Sequence, residues 1–314
     1  MGGSGAGGVT VLGIYVADLA FFAARLPVMG ETVMGSDFKT GPGGKGSNQA
    51  VAAARAGAAV QFISKIGDDD LGTRVRQMYA DEGIGQSGVA TSPDQPTGAA
   101  FIFMEETTGN NAIIVVPGAA GDLTVAEIEK NAGAISGATV FMTQLETPVA
   151  GGMRGLEIAR AAGVTTILNP APAADLPPEI YPLIDYFTPN ETEAALLTGQ
   201  PVATIDEARA AAIEFRQRGV GVAIITLGGE GVVYADAQGT IHIPAFDAAP
   251  VVDTTGAGDA FNGGLAAALA AGQEGRVAAR FGGATGALSV TRPGTAPSMP
   301  QRAEIETLLN RCRH

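Results

Sequence analysis

"ATVFMTQLETPVAGGMRGLEIARAAGVTTILNPAP", Ala138 to Pro172, carries the decisive rhythm of this chain. "ATVFMTQLE" reads as a strand, with β-branched and aromatic residues in a short apolar run. "VAGGMRGLEIARAAG" reads as a helix that Gly163 closes. "TTILNPAP" returns as a second strand. The same alternation extends in both directions. Upstream come "VTVLGIYV" (strand), "GSNQAVAAARAG" (helix, closed by Gly57), "AVQFISKIG" (strand) and "DDLGTRVRQMYADEG" (helix). Downstream come "YFTPN" (strand), "ETEAALLTG" and "IDEARAAAIEFRQRG" (helices), "VAIITLGGEG" (strand) and "GDAFNGGLAAALAAG" (helix). Strands alternating with helices predict an α/β fold around a mainly parallel central sheet. Ligands of such sheets bind at the carboxyl ends of the strands.

Two stretches break this rhythm. "GETVMGSDFKTG" and "TGAAFIFMEETTGNNAIIVVPG" alternate with period two, and "ETTGNN" reads as a hairpin loop. They predict a small antiparallel sheet standing off the main body, either an ornament or a lid over a substrate.

The chain has 314 residues, 46% of them apolar, enough for one large globular domain. Its formal net charge of −13 argues against nucleic acid or an anionic membrane as partner. The one cysteine, Cys312, allows no intrachain disulfide and suits a reducing cytoplasm. No apolar run reaches the length of a membrane span. The two histidines, His242 on an alternating strand and the terminal His314, argue against a histidine triad or a His-rich metal site. The N-terminal "MGGSGAGG" reads as a flexible leader over residues 1–8. Its Gly3-x-Gly5-x-x-Gly8 pattern precedes the first strand, so it is no dinucleotide fingerprint.

Glycine-rich motifs carry the chemistry. "GPGGKGSNQA" (Gly41 to Ala50) lacks the spacing of a Walker loop, but its glycines let backbone approach a ligand at a helix start. Lys45 and Asn48 add the polar groups that a polyhydroxyl ligand needs. In "TPNETE", Asn190 and Glu193 fit a capping box. They equally fit a place where both face phosphate oxygens and hydrated Mg²⁺. "ITLGGEG" and the terminal acid of "MTQLE" each admit a plain reading, as a turn and a solvated carboxylate.

"VDTTGAGDAFNGG" (Val252 to Gly264) is the most pointed. The N–H groups of Gly256, Ala257, Gly258 and Asp259 can form an anion nest at a helix start. Such a nest stabilises a transferring phosphoryl group. Asp259 then either caps the helix or serves as the general base that takes a proton from an attacking hydroxyl.

Together these residues resemble the ribokinase / phosphofructokinase-B family of carbohydrate kinases, over about residues 9 to 306. "GPGGKGSNQAVAAARAGAAVQFISKIGDDDLG" is similar to the first family signature and "DTTGAGDAFNGGLAAAL" to the second. "PGETV", "QLETP", "LNPAPA", "TPNETEA", "ITLGGEGV" and "TRPGTAPSMP" follow in the family's order.

The resemblance implies a ribokinase-like three-layer sandwich, one domain over 9–306 with a small β lid from about 15–40 and 97–118. It implies ATP-dependent transfer to a primary sugar hydroxyl in the cytoplasm. The first expectation is D-ribose, and the alternative is fructose, 2-keto-3-deoxygluconate, another sugar or a nucleoside such as adenosine. Asp259 matches the catalytic base, and Gly256, Ala257 and Gly258 match the anion hole. Asp18, Gly44, Lys45, Asn48 and Glu146 match sugar-binding positions. Asn190 and Glu193 match the phosphate/Mg²⁺ motif, with Glu193 reaching the metal through water. Thr226 and Gly228 lie where ATP is contacted. Asp253, Thr255, Ser289, Arg292, Gly294 and Ser298 match loops that hold an activating K⁺. The resemblance also implies a homodimer paired through the lid.

Two positions depart from the family pattern. Val16 in "YVADLA" stands where an Asn contacts the sugar, although Asp18 is kept, and Ala120 in "PGAAGDL" replaces a common Asn. One lost neutral hydrogen bond costs on the order of 0.5–1.5 kcal/mol, enough to retune sugar preference.

Overall fold

The computed structural model describes residues 8–108 and 110–312. The leader expected over residues 1–8, with Gly3 and Gly5, lies outside the described residues except for Gly8, which already opens the first strand. Gly109 of the expected hairpin and His314 also lie outside them.

The strands are β1 (Gly8–Leu12), β2 (Val16–Ala23), β3 (Asp37–Gly43), β4 (Ala59–Gly67), β5 (Gly85–Ser92), β6 (Thr97–Glu105) and β7 (Asn111–Gly118). They continue with β8 (Val140–Gln144), β9 (Thr165–Asn169), β10 (Tyr186–Phe187), β11 (Val222–Thr226), β12 (Val232–Asp236) and β13 (Gly239–Ile243). The helices are α1 (Lys45–Arg55), α2 (Asp70–Asp81), α3 (Val125–Lys130), α4 (Ala132–Ser136) and α5 (Val149–Ala161). Then come α6 (Glu191–Thr198), α7 (Ile205–Gln217), α8 (Ala257–Ala270), α9 (Gly275–Ser289) and α10 (Arg302–Arg311).

Nine strands form one sheet in the order β13-β12-β11-β10-β9-β8-β1-β4-β5. Every pair from β11 to β5 is parallel, and only the β11-β12-β13 edge is antiparallel. Two apolar clusters cover its two faces. One packs α1, α8 and α9 through Val51, Phe261, Leu265 and Phe281; the other packs α5 and α7 through Leu156, Ala212 and Phe215. This is the expected mixed α/β architecture, with helices on both sides of a mainly parallel sheet.

"VTVLGIYV" does not run as one strand. β1 stops at Leu12, and β2 starts at Val16 in a different sheet. The break falls at Gly13, where a Cβ would lie 2.6 Å from the Cα of Gly46 and 2.5 Å from Gln144 Oε1. The chain leaves the sheet there because α1 sits directly on the strand end. "YFTPN" is likewise shorter than read: only Tyr186 and Phe187 pair, and Asn190 already caps α6. In "GETVMGSDFKTG" only the part from Asp37 onward is strand.

The second sheet has the order β3-β2-β6-β7. β2 pairs antiparallel with β3 and parallel with β6, while β6 and β7 form an antiparallel hairpin. Its outer strand β7 exposes Ile113, Ile114, Val115 and Val116. Phe21 and Phe38 are also exposed and pack with ring centroids 4.8 Å apart.

Candidate active site

The site forms where the parallel strands end and the small sheet begins. Gly44 caps α1 with φ 87°, a conformation that L side chains rarely adopt. A Cβ there would meet Ile14 O at 2.6 Å. The tight turn aims the first N–H of α1 outward, and the amide of Lys45 donates to Glu146 Oε2 across 2.7 Å. Glu146 follows β8, so this bond joins α1 to the neighbouring strand end.

Asp259 lies in the first turn of α8 and is buried. Its carboxylate accepts from both arms of α1: Asn48 Nδ2 donates to Oδ2 and Gln49 Nε2 to Oδ1, each at 3.0 Å. The Oδ1 of Asn48 is buried and has no hydrogen-bond partner.

The electrostatics tie these groups into one site. Burial pushes the Asp259 carboxyl up, while the Lys45 ammonium and the Gln49 and Asn48 amides pull it back; the net direction is up. Burial pulls the Lys45 ammonium down, but the carboxylates of Asp259, Glu146 and Glu193 outweigh it, and the net direction is up. Glu146 is pushed up to about 7, chiefly by burial, with Lys45 opposing. Burial raises Asp18 to about 6. Three acids, Asp259, Glu146 and Glu193, thus act on one ammonium, and Asp18 acts on Glu146. Raised carboxyl pKa values around a half-buried lysine are what a functional site shows.

The helix start beside Asp259 has free backbone amides at two of the positions expected to form a nest. α8 begins at Ala257, one residue after Gly256, which takes φ 79°. The N–H of Ala257 donates to Thr254 O at 3.2 Å, closing the turn. The free donors are therefore the amides of Gly258 and Asp259, with Gly256 at the cap. A buried carboxylate beside unsatisfied N–H groups can serve proton transfer and anion stabilisation at once.

Asn190 and Glu193 form the reciprocal capping box: Asn190 N donates to Glu193 Oε2 at 2.9 Å and Glu193 N to Asn190 Oδ1 at 2.8 Å. Burial raises Glu193, and Lys45 and Asp259 act on it through space. It therefore caps α6 and still faces the site. Asn190 bridges to Thr226, the last residue of β11, and Gly228 turns away just beyond at φ 50°.

Three further loops flank the nest. Asp253 accepts from the amides of Thr255 and Gly294 at 2.9 Å each, which outweigh its partial burial and hold the carboxyl below its usual range. Ser289 Oγ donates to Gly286 O and Ser298 Oγ to Thr295 O. Thr295 in turn lies against Gly256. Arg292 directs its guanidinium to Glu304, so only its backbone remains for a ligand between these loops.

Sequence reasoning missed five buried amides and hydroxyls beneath the site: Gln49, Gln144, Asn169, Thr188 and Asn262. Two signals existed. Gln49 stands directly before the apolar run "AVAAA", and Asn262 interrupts the apolar stretch of "AFNGGLAAALA".

Val16 and Ala120, the two departures from the family pattern, meet in one small buried cluster with Ile14 and Ala100. Val16 and Asp18 lie two residues apart on β2 and so share a face.

The family model described as pfkB family carbohydrate kinase matches residues 7–302. The chain belongs to that family. It is 40% identical over 296 residues to a ribokinase from Haemophilus influenzae, covering 94% of this chain and 96% of that one. The structure of Arabidopsis thaliana ribokinase complexed with ribose and ATP superposes with a TM-score of 0.91 at 31% identity, covering 97% of this chain and 99% of that chain. Thermotoga maritima ribokinase gives a TM-score of 0.87 at 34% identity, with 97% and 99% covered.

Proposed function

We propose that the protein is an ATP-dependent kinase of D-ribose that forms ribose 5-phosphate, with Asp259 as general base. One observation carries the reading: a buried carboxylate, held by the side-chain amides of Asn48 and Gln49, stands in the first turn of α8 beside the free backbone amides of the helix start. That arrangement serves an alcohol attacking a phosphorus. The similar ribokinases supply the sugar.

Asp18, Gly44, Lys45, Asn48 and Glu146 hold the sugar so that its primary hydroxyl faces Asp259. As that oxygen bonds to the γ-phosphorus, its proton passes to the Asp259 carboxylate. The bond from phosphorus to the bridging oxygen breaks, and ADP leaves with the electron pair. The amides of Gly256, Gly258 and Asp259 receive the charge that builds on the phosphoryl oxygens. Asn190, Thr226 and Gly228 hold the nucleotide.

Glu193 would hold Mg²⁺ through water, and the loops of Asp253, Thr255, Ser289, Arg292, Gly294 and Ser298 would hold K⁺. Their donors are carboxylate, hydroxyl and carbonyl oxygens, which suit hard cations. When bound, these ions supply positive charge beside the phosphates and the nest.

The four-stranded sheet acts as the lid, and two lids pair to make a homodimer. The exposed apolar residues of β7 and its open edge support this. A cytoplasmic setting fits the single cysteine. Among the described residues, no helix is long and apolar enough to cross a membrane.

ADP release with MgATP and K⁺ tests the reading across ribose, fructose, 2-keto-3-deoxygluconate and adenosine. A clear kcat/KM preference for ribose is expected. Turnover of another acceptor with ribose poor would overturn the sugar and keep the chemistry.

A further inference from the structure

Beneath the reacting face runs a chain of buried polar groups that touches neither sugar nor nucleotide in the reading above. Gln49, fully buried in α1, donates from Nε2 to Asp259 Oδ1 and to Asn169 Oδ1, each at 3.0 Å. Its Oε1 accepts from Gln144 Nε2 at 2.6 Å. Asn169 Nδ2 donates to Thr188 O at 3.0 Å, and Thr188 Oγ1 to Asn262 Oδ1 at 2.7 Å. Asn262 Nδ2 then donates to Gly258 O at 2.8 Å, in the anion nest. The chain of bonds starts at the base and returns to the same helix turn.

The direction of every bond here follows from chemistry. A backbone carbonyl only accepts, so Thr188 O requires the NH₂ of Asn169. The carbonyl of Asn169 therefore faces Gln49, and Gln49 must present its own NH₂. A carboxylate on the other side demands the same. Gln144 locks the choice by donating to the remaining oxygen of Gln49. Had Gln49 turned over, its carbonyl would oppose both Asn169 Oδ1 and the Asp259 carboxylate.

We propose that Gln49 is the positioning residue of the base, and that Gln144 and Asn169 fix its amide so that it holds the Asp259 carboxylate ionised and correctly turned. The proposal rests on the reading of Asp259 as base. Asn48 occupies one carboxylate oxygen and Gln49 the other, which leaves the remaining lone pairs for the proton of the acceptor hydroxyl. Losing Gln49 favours the protonated acid, since a hydrogen bond to a charged group is among the strongest in a buried site.

Other charges near Asp259 are few. Lys45 comes from α1, Glu146 follows β8, and Glu193 comes from α6. β1 has no titratable residue. Arg276 and Arg280 of α9 are engaged with Asp236 and with the carbonyl of Cys312. None of these contacts changes in Gln49→Met, so a shift reports the amide.

The test is carboxyl ¹³C NMR titration of Asp-labelled protein without substrates, with Asp259→Asn identifying the signal. In Gln49→Met the Asp259 carboxyl is expected to titrate higher by on the order of one pH unit. The acid limb of kcat should move the same way, with KM for sugar and ATP within about threefold. Gln144→Met, which keeps Gln49 but frees its amide, should shift both in the same direction by less. An unmoved titration in folded Gln49→Met overturns the proposal, even if Tm falls. Should Gln49→Met fail to fold, an unmoved Gln144→Met does so. Turnover near wild type in Asp259→Asn would instead sink the base assignment, and the NMR shift would still stand or fall by itself.

Discussion

The backbone amide of Lys45 donates to the carboxylate of Glu146 across 2.7 Å, joining the start of α1 to the end of β8. The same Glu146 is pushed up to about 7 from 4.5 by burial. It therefore titrates in the physiological range.

This sets a pH dependence. Between 4.5 and about 7, folded Glu146 holds a proton that the unfolded chain has lost. The folded state binds more protons there, so this group's contribution to stability falls as pH rises through that window. Sugar binding runs the other way, because a hydroxyl donates a stronger hydrogen bond to the carboxylate than to the neutral carboxyl. Glu146→Gln should gain Tm relative to wild type at pH 8 and lose that gain at pH 5. Its kcat/KM for sugar should stay low throughout, while wild type loses kcat/KM below about pH 7. Scanning calorimetry and steady-state rates at the two pH values check both signs.

Gly46 tests how α1 is seated. Ala is the better helix former by roughly 1 kcal/mol, so at an open position Gly46→Ala would stabilise. Here a Cβ would fall 2.6 Å from the Cα of Gly13 and 2.9 Å from Gln144 Oε1. Backbone cannot yield cheaply, and overpacking costs about 1–3 kcal/mol. The clash wins: urea denaturation should show a net loss, with activity reduced because Asn48 and Gln49 shift with the helix.

Val16 and Ala120 offer a sugar hydroxyl no hydrogen-bonding side chain of their own, and both pack in an apolar cluster. The account expects ribose to gain little over a monodeoxy ribose in wild type. Val16→Asn should raise the ribose-to-deoxyribose ratio of kcat/KM by about threefold to tenfold, the value of one neutral hydrogen bond. It should also lower Tm, since the amide enters a cluster of Ile14, Ala100 and Ala120.

The proposed pairing of two lids predicts an oligomer. Ile114 on β7 is 64% exposed in the single chain. Ile114→Lys should convert a dimer to a monomer in sedimentation velocity and raise KM for sugar, with Tm changed little.

Much of this was legible beforehand, for physical reasons. The strand-helix rhythm is written in apolar periodicity, and the glycine turns sit where a ligand needs backbone. α9 was not legible: "GRVAARFGGATGALS" carries four glycines, which lowers helix propensity. Those small residues are what let it close on α8, where a Cβ at Gly264 would strike Thr285 and one at Gly282 would strike Phe261 O. Tertiary packing overrides propensity there. The four amides and the Thr188 hydroxyl under Asp259 come from five separate segments, between residues 49 and 262, so only the fold brings them together. β1 and β2 merged in the sequence because apolar residues continue across Gly13, while the chain changes sheets.

The base assignment is tested most directly by Asp259→Asn, an isosteric change at a carboxylate already held by two amides. General-base catalysis contributes about 10²–10⁴-fold. The measurement is kcat for ribose phosphorylation under saturating MgATP, alongside ATP affinity by calorimetry. The account predicts a loss of at least that order in kcat with ATP binding retained. A variant that turns over ribose near the wild-type rate would contradict it.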